Sequence, residues 1–154
     1  MAIEMIDTHT HLDGEEFTDD RQEVVERARK AGVCKVFIPA IDLPSVTTVL
    51  DVCAAYPGYA FPMIGLHPEE VRADYQTVLD EMKLLMTDNL QSTSQPHFIA
   101  VGEVGLDYYW SREFEKEQLE AFEQQVQWSI ETRLPLMIHC RKEQQEMVRI
   151  LKCY

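Results

Sequence analysis

Apolar and polar positions alternate in blocks along this chain, and the period of each block changes in a regular order. Ala2 to Asp7 is a short apolar run that predicts a strand, followed by the polar loop Asp13-Gly14-Glu15-Glu16. From about Phe17 to Ala31 the period is helical, with Val24, Val25, Ala28 and Ala31 on one face, and Gly32 stops it. Val33 to Ile38 is nearly continuous in apolar residues, as in a strand covered on both faces. Pro39 ends it. Pro44 opens a helix with the stripe Val46, Val49, Leu50 and Cys53, which Tyr56-Pro57-Gly58 breaks.

A third strand, about Tyr59 to Gly65, runs into Leu66-His67-Pro68. Asp74 then stands where it can cap a helix carrying Val78, Leu79, Met82, Leu85 and Met86, and Asn89 to Pro96 reads as a surface loop. The fourth strand, Phe98 to Glu103, puts a carboxylate at its end. The longest helix, about Glu113 to Thr132, spaces Leu119, Phe122, Val126 and Ile130 helically, and its glutamates form a solvated outer face. Pro135 opens a fifth strand, Leu136 to Ile138, which ends at His139-Cys140-Arg141 before a last helical pattern with Met147, Val148 and Leu151.

Five strand-then-helix units without hairpin turns predict a parallel sheet with helices outside it. His9 and His11 follow the first strand, His67 the third, Glu103 the fourth and His139 the fifth. In barrels and open α/β sheets alike, that C-terminal edge is where sites are built.

With 154 residues and 45% apolar composition the chain can bury one core, which predicts a single domain over residues 1–154. Its 14 basic and 27 acidic residues leave a net charge of -13, so the ordinary basic footprint of a nucleic-acid binder is absent and phosphate recognition must be local. Bound divalent ions would supply such a positive point. No apolar run approaches the ~20 residues needed to span a bilayer, and Met1-Ala2-Ile3-Glu4 lacks a basic region before an apolar core, so a cytoplasmic location is expected. Cys34, Cys53, Cys140 and Cys153 show no Cys-x-x-Cys spacing and read as buried free thiols.

In an extended chain, side chains at i and i+2 point the same way, so His9 and His11 can converge on one ion. Neutral imidazole is a common ligand for divalent transition ions. Adding Glu103 and His139 gives three nitrogen donors and a carboxylate able to bridge two ions about 4 Å apart, a set suited to hydrolysis. Asp7 is expected to hold an imidazole N–H. His97 matches no pattern and reads as a surface residue. Tyr108, Tyr109 and Trp110 are able to stack on bases, but are taken as core.

Four segments carry a resemblance: Asp-Thr-His-Thr-His-Leu at 7–12, Gly-Leu-His-Pro at 65–68, Gly-Glu-Val-Gly-Leu-Asp-Tyr-Tyr at 102–109 and Ile-His-Cys-Arg at 138–141. Together and in this order they resemble the TatD-related metal-dependent hydrolases and deoxyribonucleases of the amidohydrolase superfamily. The resemblance implies a TIM (β/α)8 barrel, with about five of eight β/α units in this chain, and a site of two divalent ions (Mg, Mn or Zn) that cleaves phosphodiester bonds from the 3′ end of DNA. By position, His9 and His11 would bind the first ion, Glu103 would bridge, and His139 would bind the second. His67 would act on the leaving oxygen, and Arg141 would hold phosphate, which its guanidinium geometry suits.

The family pattern continues to a histidine after a sixth strand and an aspartate near the seventh or eighth, and neither has a counterpart here. The expectation is therefore an N-terminal portion of a longer enzyme, inactive at this length, or a chain that completes itself by association through open sheet edges. Two other readings stand beside the nuclease. One is the same fold and metals acting on an ester, amide or lactone, and the other is a non-catalytic interaction module.

Overall fold

The structure, a computed structural model, describes residues 4–154. Ala2 and Ile3, the start of the expected first strand, lie outside the described residues. Ten principal elements follow in order: β1 Met5–Asp7, α1 Arg21–Lys30, β2 Val33–Pro39, α2 Leu43–Ala55, β3 Ala60–Met63, α3 Tyr75–Gln91, β4 Val101–Asp107, α4 Glu115–Thr132, β5 Leu136–Arg141 and α5 Gln144–Leu151. Two short 3-10 turns, Glu15–Phe17 and Pro68–Glu70, precede α1 and α3.

The strand-helix alternation produces the parallel architecture that the hydrophobic periods predict. β1, β2 and β3 pair in parallel, as do β4 and β5. A bridge between Ile64 and Val101, with Gly102 N donating to Ile64 O at 2.8 Å, joins the two groups. The strands thus lie in chain order, and among the described residues β1 and β5 each have a neighbour on one side only. α4 packs on β4 and α2 on β3, while α3 sits against both α2 and α4. Ile38, Val49, Ile64, Leu79, Met82, Leu106 and Phe122 are fully buried between these layers.

Local chemistry explains the element boundaries. α2 begins with a reciprocal cap, in which Ser45 N donates to Asp42 Oδ1 at 2.8 Å and Asp42 N donates to Ser45 Oγ at 3.0 Å. Asp74 is the N-cap residue of α3, but its side chain makes no capping bond. α1 starts at Arg21 instead of Phe17, because Phe17 closes the preceding 3-10 turn. On the helix faces, Leu85, Ile130 and Val148 turn out exposed where the periodicity placed them inward. Of the cysteines only Cys53 is buried; Cys34 and Cys140 are half-buried and Cys153 is exposed. Asn89, at the mouth of the expected loop, ties it down by donating to Pro96 O at 3.0 Å and accepting from Phe98 N at 3.0 Å. His97 is half-buried there, its Nδ1 2.9 Å from Asn89 O.

The most consequential difference concerns β4 and β5. Glu103 was expected at the end of a strand; it is the third residue of β4, which runs on through Asp107, all seven residues buried. β5 likewise continues past His139 to Arg141. The two extensions pair with each other, Gly105 opposite His139 and Asp107 opposite Arg141. Gly105 permits this, since a Cβ there would stand 1.8 Å from His139 O.

Candidate metal centre

The expected site is assembled from several strands: His9 and His11 follow β1, His67 follows β3, Glu103 lies on β4, and His139 and Arg141 lie on β5. The chain bends at Thr8, just past β1, and then runs beside β2, Thr10 N donating to Phe37 O at 3.1 Å, which turns His9 and His11 to the same side. Their Nε2 atoms are 3.1 Å apart. Asp7 does not hold an imidazole; its Oδ1 accepts from the backbone N of His9 at 3.1 Å and shapes the strand exit instead.

Glu103 stands at an irregularity in the β4–β5 ladder. Val101 is opposite Leu136 but Val104 is opposite Ile138, so β4 spends one residue more than β5 over this stretch. Such a bulge re-aims a side chain. The carboxylate it delivers is 5% exposed and divides its oxygens between two sets of imidazoles. Oε2 lies 3.1 Å from His9 Nε2 and 3.9 Å from His11 Nε2. Oε1 lies 3.1 Å from His139 Nδ1 and 3.6 Å from His67 Nε2.

Two groups able to hold an ion result, His9-His11-Glu103 and His67-Glu103-His139, sharing the one carboxylate. The donor set suits a divalent ion, since neutral imidazoles and an ionised carboxylate converge without an intervening cation. An adjoining cavity of about 370 Å³ is lined by His11, Asp13, Ile41, His67 and Glu103, among others. In its wall, Asp13 Oδ1 is buried without a hydrogen-bond partner, while Oδ2 accepts from Thr48 Oγ1 at 3.1 Å.

Residues 6–154 match the family model described as TatD related DNase. The chain belongs to the TatD-related DNase family. It is 31% identical over 148 residues to the uncharacterized metal-dependent hydrolase YabD of Bacillus subtilis, an alignment covering 96% of this chain and 55% of YabD. It is 28% identical over 148 residues to the 3′-5′ ssDNA/RNA exonuclease TatD of Erwinia tasmaniensis, covering 96% of this chain and 54% of that one. Among solved structures, YJJV, a TatD homolog from Escherichia coli K12, superposes with a TM-score of 0.87 at 26% identity, over 99% of this chain and 57% of the other. A TatD family hydrolase from Entamoeba histolytica shares the fold at a TM-score of 0.81 and 23% identity, over 99% and 55% of the two chains. The chain spans about half the length of the curated relatives it matches.

In this TatD-family site the imidazole tautomers follow from their partners. His67 Nδ1 accepts from Glu69 N at 3.1 Å, so its neutral ring carries the proton on Nε2, which faces Glu103. His67 is thus set up to donate a hydrogen bond into the cluster. His139 is the opposite case. Its Nε2 is 2.7 Å from Asp107 Oδ2 and its Nδ1 is 3.1 Å from Glu103 Oε1, so both ring nitrogens face carboxylates; a ring that keeps only the Nε2 proton, donated to Asp107, would offer Nδ1 to an ion instead.

Asp107 received no role from the sequence, although it lies in the third motif. Its carboxylate is 3% exposed, and only the pairing of β4 with β5 brings it to His139. It is positioned in turn by a buried amide: Asp107 N donates to Gln118 Oε1 at 3.0 Å, and Gln118 Nε2 donates to Asp107 O at 3.1 Å. Gln125 does the same for the residue before His67, accepting from Leu66 N at 2.7 Å and donating to Leu66 O at 3.3 Å. Both lie on the face of Phe122, four residues after Gln118 and three before Gln125, but a polar side chain adds nothing to an apolar stripe.

Burial alone would raise the Glu103 carboxyl, but the imidazoles of His139 at 3.1 Å and His67 at 3.6 Å outweigh it and hold the group well below the usual carboxylate range. The bond to Glu103 is also the main reason that His139 is raised, against its own burial. His11 is lowered, first by burial and then by His9, which favours its neutral, ligating form. Arg141 lies at the end of β5 and does not meet the carboxylate cluster; it stacks on Tyr109. Tyr108 is core as expected, at 8% exposure, whereas Tyr109 and Trp110 are exposed.

Proposed function

We propose that this chain is a metal-dependent hydrolase of phosphodiester bonds, acting on single-stranded nucleic acid, DNA in particular, from the 3′ end. The observation that carries the proposal is the division of the two Glu103 oxygens between separate histidine sets. The family match and the likeness to the 3′-5′ ssDNA/RNA exonuclease of Erwinia tasmaniensis support it. In the same reading, the five units in sequential parallel order correspond to part of a TIM (β/α)8 barrel, and residues 1–154 act as one domain.

His9 and His11 would hold one divalent ion and His139 the other, with Glu103 between them; magnesium, manganese and zinc all suit these donors. When bound, such ions polarise a phosphodiester and lower the pKa of water at neutral pH. Glu103, kept ionised by its surroundings, keeps the two histidine sets at a common distance. Asp107 fixes the His139 ring so that Nδ1 faces inward. His67, with Nε2–H directed at the cluster, is placed to hold a departing 3′ oxygen by a hydrogen bond. Arg141 meets the phosphate of the incoming strand.

The test is hydrolysis of a 3′-labelled single-stranded oligonucleotide with added manganese or magnesium, alongside metal content, for the chain and for Glu103→Ala. Release of 3′ nucleotides that falls at least about a hundredfold in the variant, together with lost metal, is the expected result. Equal activity in both, or turnover of a small ester but not of the oligonucleotide, would overturn the proposal.

A further inference from the structure

Just beyond Asp107, which holds His139, the chain places two aromatic rings on the surface, Tyr109 at 45% and Trp110 at 72% exposure. A single exposed aromatic ring is unremarkable in a soluble protein. These two form an ordered group. Their rings meet edge to face at 4.6 Å, and the Arg141 guanidinium lies 3.5 Å from the Tyr109 centroid and 5.5 Å from that of Trp110.

The group is tied to the cluster by a single carboxylate. Asp107 Oδ1 accepts from Tyr109 N at 2.8 Å while Oδ2 holds His139 Nε2 at 2.7 Å. Arg141, two residues beyond His139, is opposite Asp107 in the β4–β5 pairing. On its other side Trp110 walls a groove of about 420 Å³ with Pro68, Val71 and Phe114, and Pro68 directly follows His67.

Charge distinguishes the two sides of this group. The groove also carries Glu69, Glu70 and Glu113, which repel phosphate. Its Arg72 is 3.8 Å from Glu70, and the neighbouring Arg112 pairs with Glu115 and Glu143. Arg141 makes no ion pair among the described residues, in a chain of 27 acidic and 14 basic side chains. A ligand matching this surface has a flat, uncharged ring beside a negative group.

We propose that Tyr109, Trp110 and Arg141 form a stacking platform for an unpaired base of single-stranded nucleic acid, with Arg141 meeting the adjacent phosphate. This rests on the proposed nuclease reading and adds to it how the strand is held. A ring platform binds any base, because every base has a π face, and it excludes a base still stacked within a duplex. The platform therefore confers preference for single strands without preference for sequence.

The experiment uses the metal-loaded chain and a thymidine strand whose phosphorothioate linkages slow hydrolysis, compared with an abasic strand of equal length and with a duplex. Trp110 fluorescence reports occupancy, the other tryptophan, Trp128, being 3% exposed. The expected result is quenching by the thymidine strand and about tenfold weaker binding of the abasic strand and of Trp110→Ala, with Trp110→Phe retaining most of the affinity. Equal affinity for the two single strands, or a Trp110→Ala affinity within about twofold of the parent, would overturn the platform. Hydrolysis of an ordinary 3′-labelled strand is followed in parallel. Hydrolysis without base-dependent binding overturns the platform alone. Base-dependent binding without hydrolysis overturns the nuclease reading alone, and loss of both overturns both.

Discussion

Glu103 is a buried acid that stays ionised because imidazoles on both sides supply what burial removes. The interaction has a definite pH range in the metal-free chain. Glu103 is depressed from 4.5, so its contribution to stability is present above that value and is lost as pH falls. His139 is raised from 6.5, so its contribution is complete below that value and fades as pH rises through the raised one. Both are complete between 4.5 and 6.5. In chelator, NMR titration of His139 should therefore give a pKa above 6.5, and Glu103→Gln and Asp107→Asn should each lower it. An unchanged His139 titration in both variants would refute this account of the pair. At this scale the sequence was informative about identities: His9, His11, Glu103 and His139 all meet. It was silent on Asp107, whose partner lies 32 residues away on another strand, at a register that no local pattern encodes.

Among the elements, α4 holds the site from outside. Gln118 and Gln125 are seven residues apart, two turns along one face, and each satisfies both backbone groups of a residue at a strand exit. Leaving such buried groups unpaired costs on the order of 1–3 kcal/mol. Gln125→Leu should lose stability of about that size in urea unfolding and slow oligonucleotide hydrolysis about tenfold through displaced His67. Stability and rate both unchanged would mean that the amide clamp is incidental. Apolar periodicity placed α4 correctly and its inward face only in part. Ile130 is at the expected spacing but beyond the cover of the sheet, and two polar residues occupy inward positions because strand exits offer unpaired backbone there. The same lack of local signal shortened β4 in the sequence reading. Its second half, Val104-Gly105-Leu106-Asp107, is extended only because β5 lies alongside and pairs with it.

For the whole molecule, the cluster connects parts of the sheet that backbone hydrogen bonding does not. β1 pairs only with β2 among the described residues, yet His9 and His11 from its exit lie against Glu103 of β4, which faces His139 of β5. An ion held across these groups would bind the folded chain and not the unfolded one. At a concentration about a hundredfold above its dissociation constant, that linkage contributes about 2.7 kcal/mol. At roughly 2–4 °C per kcal/mol for a chain of this size, manganese should raise the Tm by roughly 5–10 °C, and chelator should reverse it. Glu103→Ala should abolish the rise; a rise retained in the variant would locate the ion elsewhere.

The sequence by itself determined the class of fold, the order of its elements and the identities of the side chains that converge. Those depend on local period, on breakers such as Gly32 and Pro39, and on the i, i+2 geometry of an extended chain. Tertiary structure alone decided that Glu103 divides its oxygens, that Asp107 orients His139, that Gln118 and Gln125 clamp the strand exits, and that Tyr109 and Trp110 lie open beside Arg141. Each of these depends on strand register and helix docking, where contacts span tens of residues and a shift of one position turns every side chain to the other face.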